Sequence, residues 1–262
     1  MEIIIIAIVS FLGSLLTFFS GFGLGTILSP VLAIFFPVEV AIALTGVVHL
    51  LNNFFKIFLT GKNINWSIGL KFGLTSVLGA FVGAKLLMLF SDNAPLYSYQ
   101  LGSKFFQVTF LKLVIALLMI FFALMESLPR LKNFQFSSDK LYAGGLISGF
   151  FGGLSGNQGA LRSAFLIRAG LSKEAFIATG ILIACFVDVT RLTIYFQRIS
   201  TVNISDNIQT VTVSIMSAFM GAYLGNKALN KVTLELVQKV VMVMIIAIAF
   251  LLAAGLDRKS VV

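Results

Sequence analysis

Apolar residues run through this chain in stretches longer and more uniform than the one-sided stripe of a surface helix. They occupy about 3–19, 24–36, 38–59, 67–90 and 104–125, with polar or turn-forming residues between them. A second series follows at about 140–152, 158–169, 174–196, 207–229 and 233–255. The longer runs match the roughly 20 residues with which a helix crosses the hydrocarbon core of a bilayer. The first two runs of each series are shorter, roughly 13 to 17 residues at about 1.5 Å each, and the pattern predicts half-helices that meet at a break.

The breaks themselves are glycine clusters. Ser20-Gly-Phe-Gly-Leu-Gly25 interrupts the first series, and Gly152-Gly-Leu-Ser-Gly-Asn-Gln-Gly159 interrupts the second. Each glycine costs a helix about 1 kcal/mol, and unpaired backbone in lipid costs several more, so such breaks persist where protein or a wet cavity receives them. Each therefore marks a candidate binding site.

The two series repeat one another. Pro37-Val-Glu-Val-Ala41 followed by Thr45-Gly46 has its echo in Leu171-Ser-Lys-Glu-Ala175 followed by Thr179-Gly180. Gly79-Ala80, Gly83, Lys85 and Leu87 recur as Gly221-Ala222, Gly225, Lys227 and Leu229. A duplicated bundle follows, with a first repeat at 1–128, a connecting loop at 129–138 and a second repeat at 139–262. A hairpin that enters and leaves on one side, plus three full spans, makes an odd number of crossings, which predicts halves of opposite orientation. The expected fold is thus an all-α polytopic membrane protein of two inverted structural repeats, each a broken-helix hairpin plus three transmembrane helices. Placing the loops at 60–71, 126–140 and 226–235 inside collects Lys62, Lys71, Arg130, Lys132, Lys140, Lys227 and Lys231 there, against Lys104, Arg198, Arg258 and Lys259 outside, the excess expected of cytoplasmic loops. Both chain ends then face outward.

Composition agrees with the pattern. At 262 residues, 58% apolar and 11% charged, the chain has too little polar surface to coat a soluble globule. The net charge of +9 does not point to nucleic acid, because Lys and Arg are scattered among the apolar runs and form no basic face. With Cys185 as the single cysteine, no intrachain disulfide and no cysteine-based metal site is available. Residues 3–19 resemble the apolar core of a signal peptide. Glu2 stands where a basic region belongs, however, and no small-x-small cleavage site follows, so the segment reads as mature structure.

A half-helix starting at Gly23 to Thr26 would aim unpaired N–H groups and about half a positive charge at the first break. Asn157 to Ala160 would do the same at the second. Two such ends facing each other near the bilayer centre make a site for a small anion that needs no cofactor and no metal. Ser20, Gly21, Gly23, Gly25 and Thr26, with Ser155, Gly156, Asn157, Gln158 and Gly159, are accordingly the expected binding backbone. The alternative is that the glycines serve only helix packing or a kink; recurrence in both halves favours the site. Packing is the expected role of Gly79, Gly83, Gly221 and Gly225.

Side chains extend the site. His49 sits near the middle of the 38–59 run, with Thr45, Asn52, Asn53 and Lys56 at i−4, i+3, i+4 and i+7, one polar stripe on one face. Asp188 and Arg191 fall where Asn53 and Lys56 would superpose in the second half, either lining the pathway or joined as an i,i+3 ion pair. Groups that ionise at this depth cost at least about 2.5 kcal/mol and should face the bundle interior or water. His49 is either a hydrogen-bonded interior imidazole or a carrier of coupled protons, and Lys56 is expected to snorkel toward an interface. Arg162, one turn into the second half-helix, is the full positive charge next to the second break in sequence, and its fork of donors matches an oxyanion. Its counterpart in the first half, Leu28, is neutral.

Gly153-Leu-Ser-Gly156 also matches the Gly-x-Ser-Gly pattern of rhomboid-type intramembrane proteases. A serine nucleophile needs a histidine base, and the single histidine, His49, precedes the serine, whereas the rhomboid pattern places it after. Asp188 is the sole aspartate well inside a span, against the pair a membrane aspartyl protease requires. The same pattern also suits a passive anion channel or a membrane assembly protein without transport. A channel is inseparable from a carrier by sequence, because both line a pore with donors.

Gly21-Phe-Gly-Leu-Gly-Thr-Ile-Leu-Ser-Pro30, Pro37-Val-Glu-Val-Ala41, His49-Leu-Leu-Asn-Asn53 and Lys56 resemble the first half of the TauE/SafE-type sulfite exporter family. Gly149-Phe-Phe-Gly-Gly-Leu-Ser-Gly-Asn-Gln-Gly-Ala-Leu-Arg162 resembles the opening of its second half. The resemblance covers nearly the whole chain. It implies a carrier of two related halves, no enzyme, that exports a small sulfur-containing anion such as sulfite or an organosulfonate across the cytoplasmic membrane.

Overall fold

The computed structural model describes residues 2–20, 24–91, 94–127, 135–199, 204–227 and 234–256, and in it the apolar runs become helices. In the first half these are α1 (Glu2–Ser20), α2 (Leu24–Phe35), α3 (Val38–Thr60), α4 (Trp66–Ser91) and α5 (Phe110–Ser127). The second half has α6 (Leu141–Ser155), α7 (Gly159–Leu166), α8 (Lys173–Ile199), α9 (Ile204–Lys227) and α10 (Leu234–Ala253). Among the described residues, four segments have the length and composition to cross a membrane: Val38–Asn63, Trp66–Ser91, Lys173–Phe196 and Ile208–Lys227. Large apolar side chains on the outer surface, Phe58 at 85% exposed and Leu117 at 68% among them, suit lipid and would aggregate in water. The chain is an all-α polytopic membrane protein.

Two features differ from expectation. At 19 residues α1 is longer than a half-helix, because the apolar run continues past Gly13 and through Thr17-Phe-Phe up to the glycine cluster. A β-hairpin also stands between α4 and α5, with β1 (Tyr97–Leu101) antiparallel to β2 (Lys104–Val108) and Tyr97 opposite Val108. Gly102, at φ 65°, makes its turn. The strand was hidden in the apolar run from 104 onward, whose opening Lys104-Phe-Phe-Gln-Val belongs to β2. The Tyr99 hydroxyl donates to the Ala254 carbonyl at 2.6 Å and its ring stacks on Phe106, which fixes the hairpin to the end of α10.

The second break is built as a re-entrant turn. Helix α6 ends where Gly156 takes the left-handed conformation, φ 79°, its N–H bonding the Gly152 carbonyl at 2.9 Å, a conformation that disfavours a side chain. Helix α7 then runs back. Its last turn meets the segment before α6: Phe136 N–H donates to the Ala164 carbonyl at 3.0 Å, the Phe136 and Phe165 rings stack at 4.0 Å, and Arg168 Nε donates to Gln135 Oε1 at 2.9 Å. The α6–α7 hairpin therefore enters and leaves together, as expected. Gly21 and Gly23 of the first break lie outside the described residues, as does the side chain of Ser20.

The helix contacts fall in matching pairs along the two series. Helix α4 packs on α6 as α9 packs on α1, α4 on α8 as α9 on α3, and α2 on α3 as α7 on α8, while α3 meets α8 and α5 meets α10. Glycine sets the closest of these contacts. A methyl group on Gly145, Gly149 or Gly153 of α6 would overlap the carbonyls of Phe72, Ser76 or Ala80 on α4; one on Gly79 or Gly83 would overlap those of Leu146 or Phe150; one on Gly221 of α9 would overlap that of Phe11 on α1. Small residues that let backbones touch are how helices associate where lipid removes the hydrophobic drive. Gly149→Ala will lower the thermal stability of the purified protein by about 1–3 kcal/mol, the usual cost of overpacking, or more, since the neighbouring atoms are backbone and cannot rotate away. An unchanged melting temperature would show that α4 and α6 can separate without loss.

Candidate functional site

Helix α3 places its polar stripe inward. His49, Asn52, Asn53 and Lys56 are all buried, at 4%, 0%, 3% and 4% exposure, and they reach two different neighbours. Asn52 Oδ1 accepts from Ser14 of α1 at 3.1 Å, and Lys56 Nζ donates to Thr17 Oγ1 of α1 at 3.0 Å. His49 Nδ1 and Asn53 Nδ2 both reach Asp188 Oδ2 on α8, at 2.6 and 3.3 Å. The other carboxylate oxygen of Asp188 takes two bonds from Arg191, Nε at 3.0 Å and a terminal nitrogen at 2.8 Å. Asp188 thus holds an imidazole and an amide of one half and a guanidinium of its own, with no exposure to solvent. The i,i+3 ion pair read from the sequence is present, and it is also the clasp between α3 and α8.

Lys56 does not snorkel. It is held inside by Thr17 and lines a cavity of about 40 Å³ together with His49, Asn53, Arg162, Ser163 and Gly180, the remaining walls being apolar side chains such as Leu24, Leu166 and Ile181. That volume, the space open to the centres of water molecules, holds about three of them. Among the described residues, Lys56 and Arg162 face it and no carboxylate lines it.

Arg162 arises from the first turn of α7 and runs along α8, where Gly180 makes room: a methyl group there would lie 3.3 Å from Nε. One of its terminal nitrogens is buried without a hydrogen-bond partner. The sequence reading of Arg162 as the charge beside the second break needs correction, because Arg191 is nearer to the turn itself. Its terminal nitrogen, also without a partner, lies 2.7 Å from the place a Gly156 side chain would take. Spacing along the chain hid this, since α8 returns to the break only through packing. Tyr195, one turn beyond Arg191, donates to the Gly153 carbonyl and anchors α8 to the end of α6.

The two breaks meet. A methyl group on Gly25 would stand 2.9 Å from the Gly156 carbonyl oxygen and 3.8 Å from Thr45, so the first turn of α2 lies against the turn between α6 and α7. Pro30, inside α2, lacks the N–H that would bond the Thr26 carbonyl. The side-chain oxygens of Thr26, Thr45, Asn157 and Gln158 are buried and have no hydrogen-bond partner. Buried polar atoms left this way are costly, and a cluster of them at a helix break reads as a place where a polar guest belongs. Within the turn, the Ser155 hydroxyl donates to the Phe151 carbonyl and accepts from Asn157 N–H, and the Gln158 carbonyl accepts from Ser148 and from Arg162 N–H. Gly159 opens α7, and Gln158 before it makes no side-chain cap.

Sequence reasoning missed Thr17, Ser163 and Gly180 of the cavity, and Glu126. The last stands one residue from the end of α5, 7% exposed, where its carboxylate accepts from the backbone N–H of Ala160 and lies in the field of Arg162. A single acidic residue at the close of an 18-residue apolar helix was the signal in the sequence.

The described residues thus place a small buried polar cavity, walled in part by Lys56 and Arg162, inside a polytopic helical bundle. A family model described as "Sulfite exporter TauE/SafE" matches residues 6–252, and the chain belongs to that family of membrane transporters. No curated protein and no solved structure matches it.

Proposed function

We propose that this protein is a secondary carrier that exports a small sulfur-containing anion, sulfite or an organosulfonate, across the cell membrane. The anion binds near the bilayer midplane between the first turns of α2 and α7, in the cavity whose walls carry Lys56 and Arg162. That pairing of two buried cations with no carboxylate in the lining is the observation that carries the reading. Backbone N–H groups from Gly25 and Thr26 and from Gly159 add neutral donors, and Asn53 and His49 complete the ring on the α3 side. The two repeats lie inverted in the membrane, and access alternates between its faces as the bundle rearranges around the site.

Reconstitution tests the proposal. Proteoliposomes loaded with unlabelled sulfite should take up labelled sulfite by counterflow, with saturation. Current that follows voltage alone, without counterflow, would make the protein a channel. The purified protein should also be stabilised selectively within a panel of sulfite, sulfate, thiosulfate, sulfoacetate, taurine and a small carboxylate. A ligand at 100 times its dissociation constant adds about 2.7 kcal/mol. Stabilisation by none of them would leave a packing or assembly role for the breaks.

A further inference from the structure

Helix α7 begins without a side-chain cap from its own chain segment, which leaves its first N–H groups for another partner. Glu126 of α5 reaches across and takes one, from Ala160. The contact is built into the packing: Phe122 and Met125 of α5 close with Leu161 and Ala164 of α7 into one buried cluster, and Phe122 meets the Phe151 ring of α6 edge-on. Arg162 is the one charged side chain that acts on Glu126 among the described residues, and Arg162 is faced in turn by Asp188, Cys185 and Glu126. One carboxylate oxygen of Glu126 and one terminal nitrogen of Arg162 are buried without partners. A half-helix N-terminus with a guanidinium beside it is the arrangement that attracts an anion, and here the protein supplies one of its own. Helix α10, which packs on α2, has no acidic residue after Glu235, so the first break has no such carboxylate from that helix.

We infer that Glu126 is a built-in competitor for the anion subsite at α7, so that the ionised carboxylate holds the Ala160 N–H and offsets the charge of nearby Arg162 when the site is empty, and protonation frees both for the transported anion. The inference rests on the anion-carrier reading above and adds proton linkage to it. His49 and Lys56, which line the cavity, are the other candidates to carry the proton, but His49 Nδ1 is committed to Asp188 at 2.6 Å within a clasp that includes Arg191, and Lys56 Nζ is engaged by Thr17 at 3.0 Å. The sign follows from competition. Ionised Glu126 opposes the anion, so affinity is highest where the carboxyl is protonated and falls as pH rises through its titration. One linked proton changes affinity by up to about tenfold per pH unit.

The test is titration calorimetry of the purified full-length protein with methanesulfonate and with sulfate, both fully ionised from about pH 5 to pH 9, so that the ligand contributes no proton of its own. Wild-type affinity should fall with rising pH, with proton uptake seen as a heat that depends on the buffer. Glu126→Gln should bind at all pH values with the affinity the wild type shows at low pH, and without proton uptake. Should that variant fail to fold, the infrared difference spectrum of the wild type answers the same question, through a protonated-carboxyl band that appears when the anion binds. An affinity independent of pH in the wild type overturns the inference and leaves the carrier reading intact. A pH dependence that survives in Glu126→Gln overturns it too, and His49→Gln and Lys56→Gln then show which group carries the proton. Absence of binding of methanesulfonate, sulfate and sulfite at every pH overturns the anion site itself.

Discussion

Arg162→Gln will weaken sulfite binding by about 2–3 kcal/mol, the range for hydrogen bonds made by a charged group, or roughly 30- to 150-fold in dissociation constant. The side chain lines the cavity, is 8% exposed and keeps one terminal nitrogen without a partner, so that donor is already desolvated and free to meet an anion. Glutamine is shorter and keeps some hydrogen bonding while removing the charge. Arg162→Lys keeps the charge and loses the planar fork, and its affinity should fall between. Lys56 on the opposite wall retains part of the attraction, which is why the loss is a factor and not an abolition. Calorimetry on folded variants measures both. A folded Arg162→Gln protein with wild-type affinity would remove Arg162 from the site.

Asp188→Asn will cost about 3–5 kcal/mol of stability, the penalty for leaving a buried charge without its counterion. Both carboxylate oxygens are used: one by His49 and Asn53, the other by two nitrogens of Arg191. Asparagine keeps the shape, so the loss is electrostatic. It strands the Arg191 guanidinium at 0% exposure and replaces with an amide the carboxylate that joins α3 to α8. If this account is right, Asp188→Asn combined with Arg191→Met will be more stable than Asp188→Asn alone, since the second change removes the stranded charge. Thermal unfolding of the three variants in detergent decides it. Equal stability of wild type and Asp188→Asn would show that water or another group reaches the guanidinium.

The helices were legible because lipid imposes one rule on them, a long apolar run, and the runs at 38–59 and 67–90 fall within a residue or so of α3 and α4. The hairpin at 97–108 was not legible, because Lys104-Phe-Phe-Gln-Val is as apolar as the helix that follows and β-pairing depends on a partner strand. The site divides in the same way. Residues on one helix at i, i+3 and i+4 declared themselves, so the stripe of His49, Asn52 and Asn53 was legible from spacing, and Asp188 with Arg191 from the echo between the two series. What spacing cannot carry is the angle at which α8 crosses the second break, and this put Arg191 rather than Arg162 against Gly156. Lys56 was misplaced for a related reason. A lysine near a helix end normally reaches for the interface, and here its hydrogen bond to Thr17 on α1 holds it inside.

The interlocked glycines of α4 and α6, with the matching contact of α9 on α1, bear on which parts of the protein can travel together. The sequence halves are not the mechanical halves. Separating them would drag α4 off α6 and α1 off α9, at contacts where backbone lies on backbone. The coherent blocks instead each borrow a helix: α1, α2 and α3 carry α9, while α6, α7 and α8 carry α4. Between these blocks lies the α3–α8 face, where the Asp188 clasp and the cationic cavity sit. Each block is therefore tied covalently to the other where α3 passes into α4 through the short turn at Gly61–Asn63, and a rocking motion would have its pivots in such crossings and its sliding surface at the candidate site.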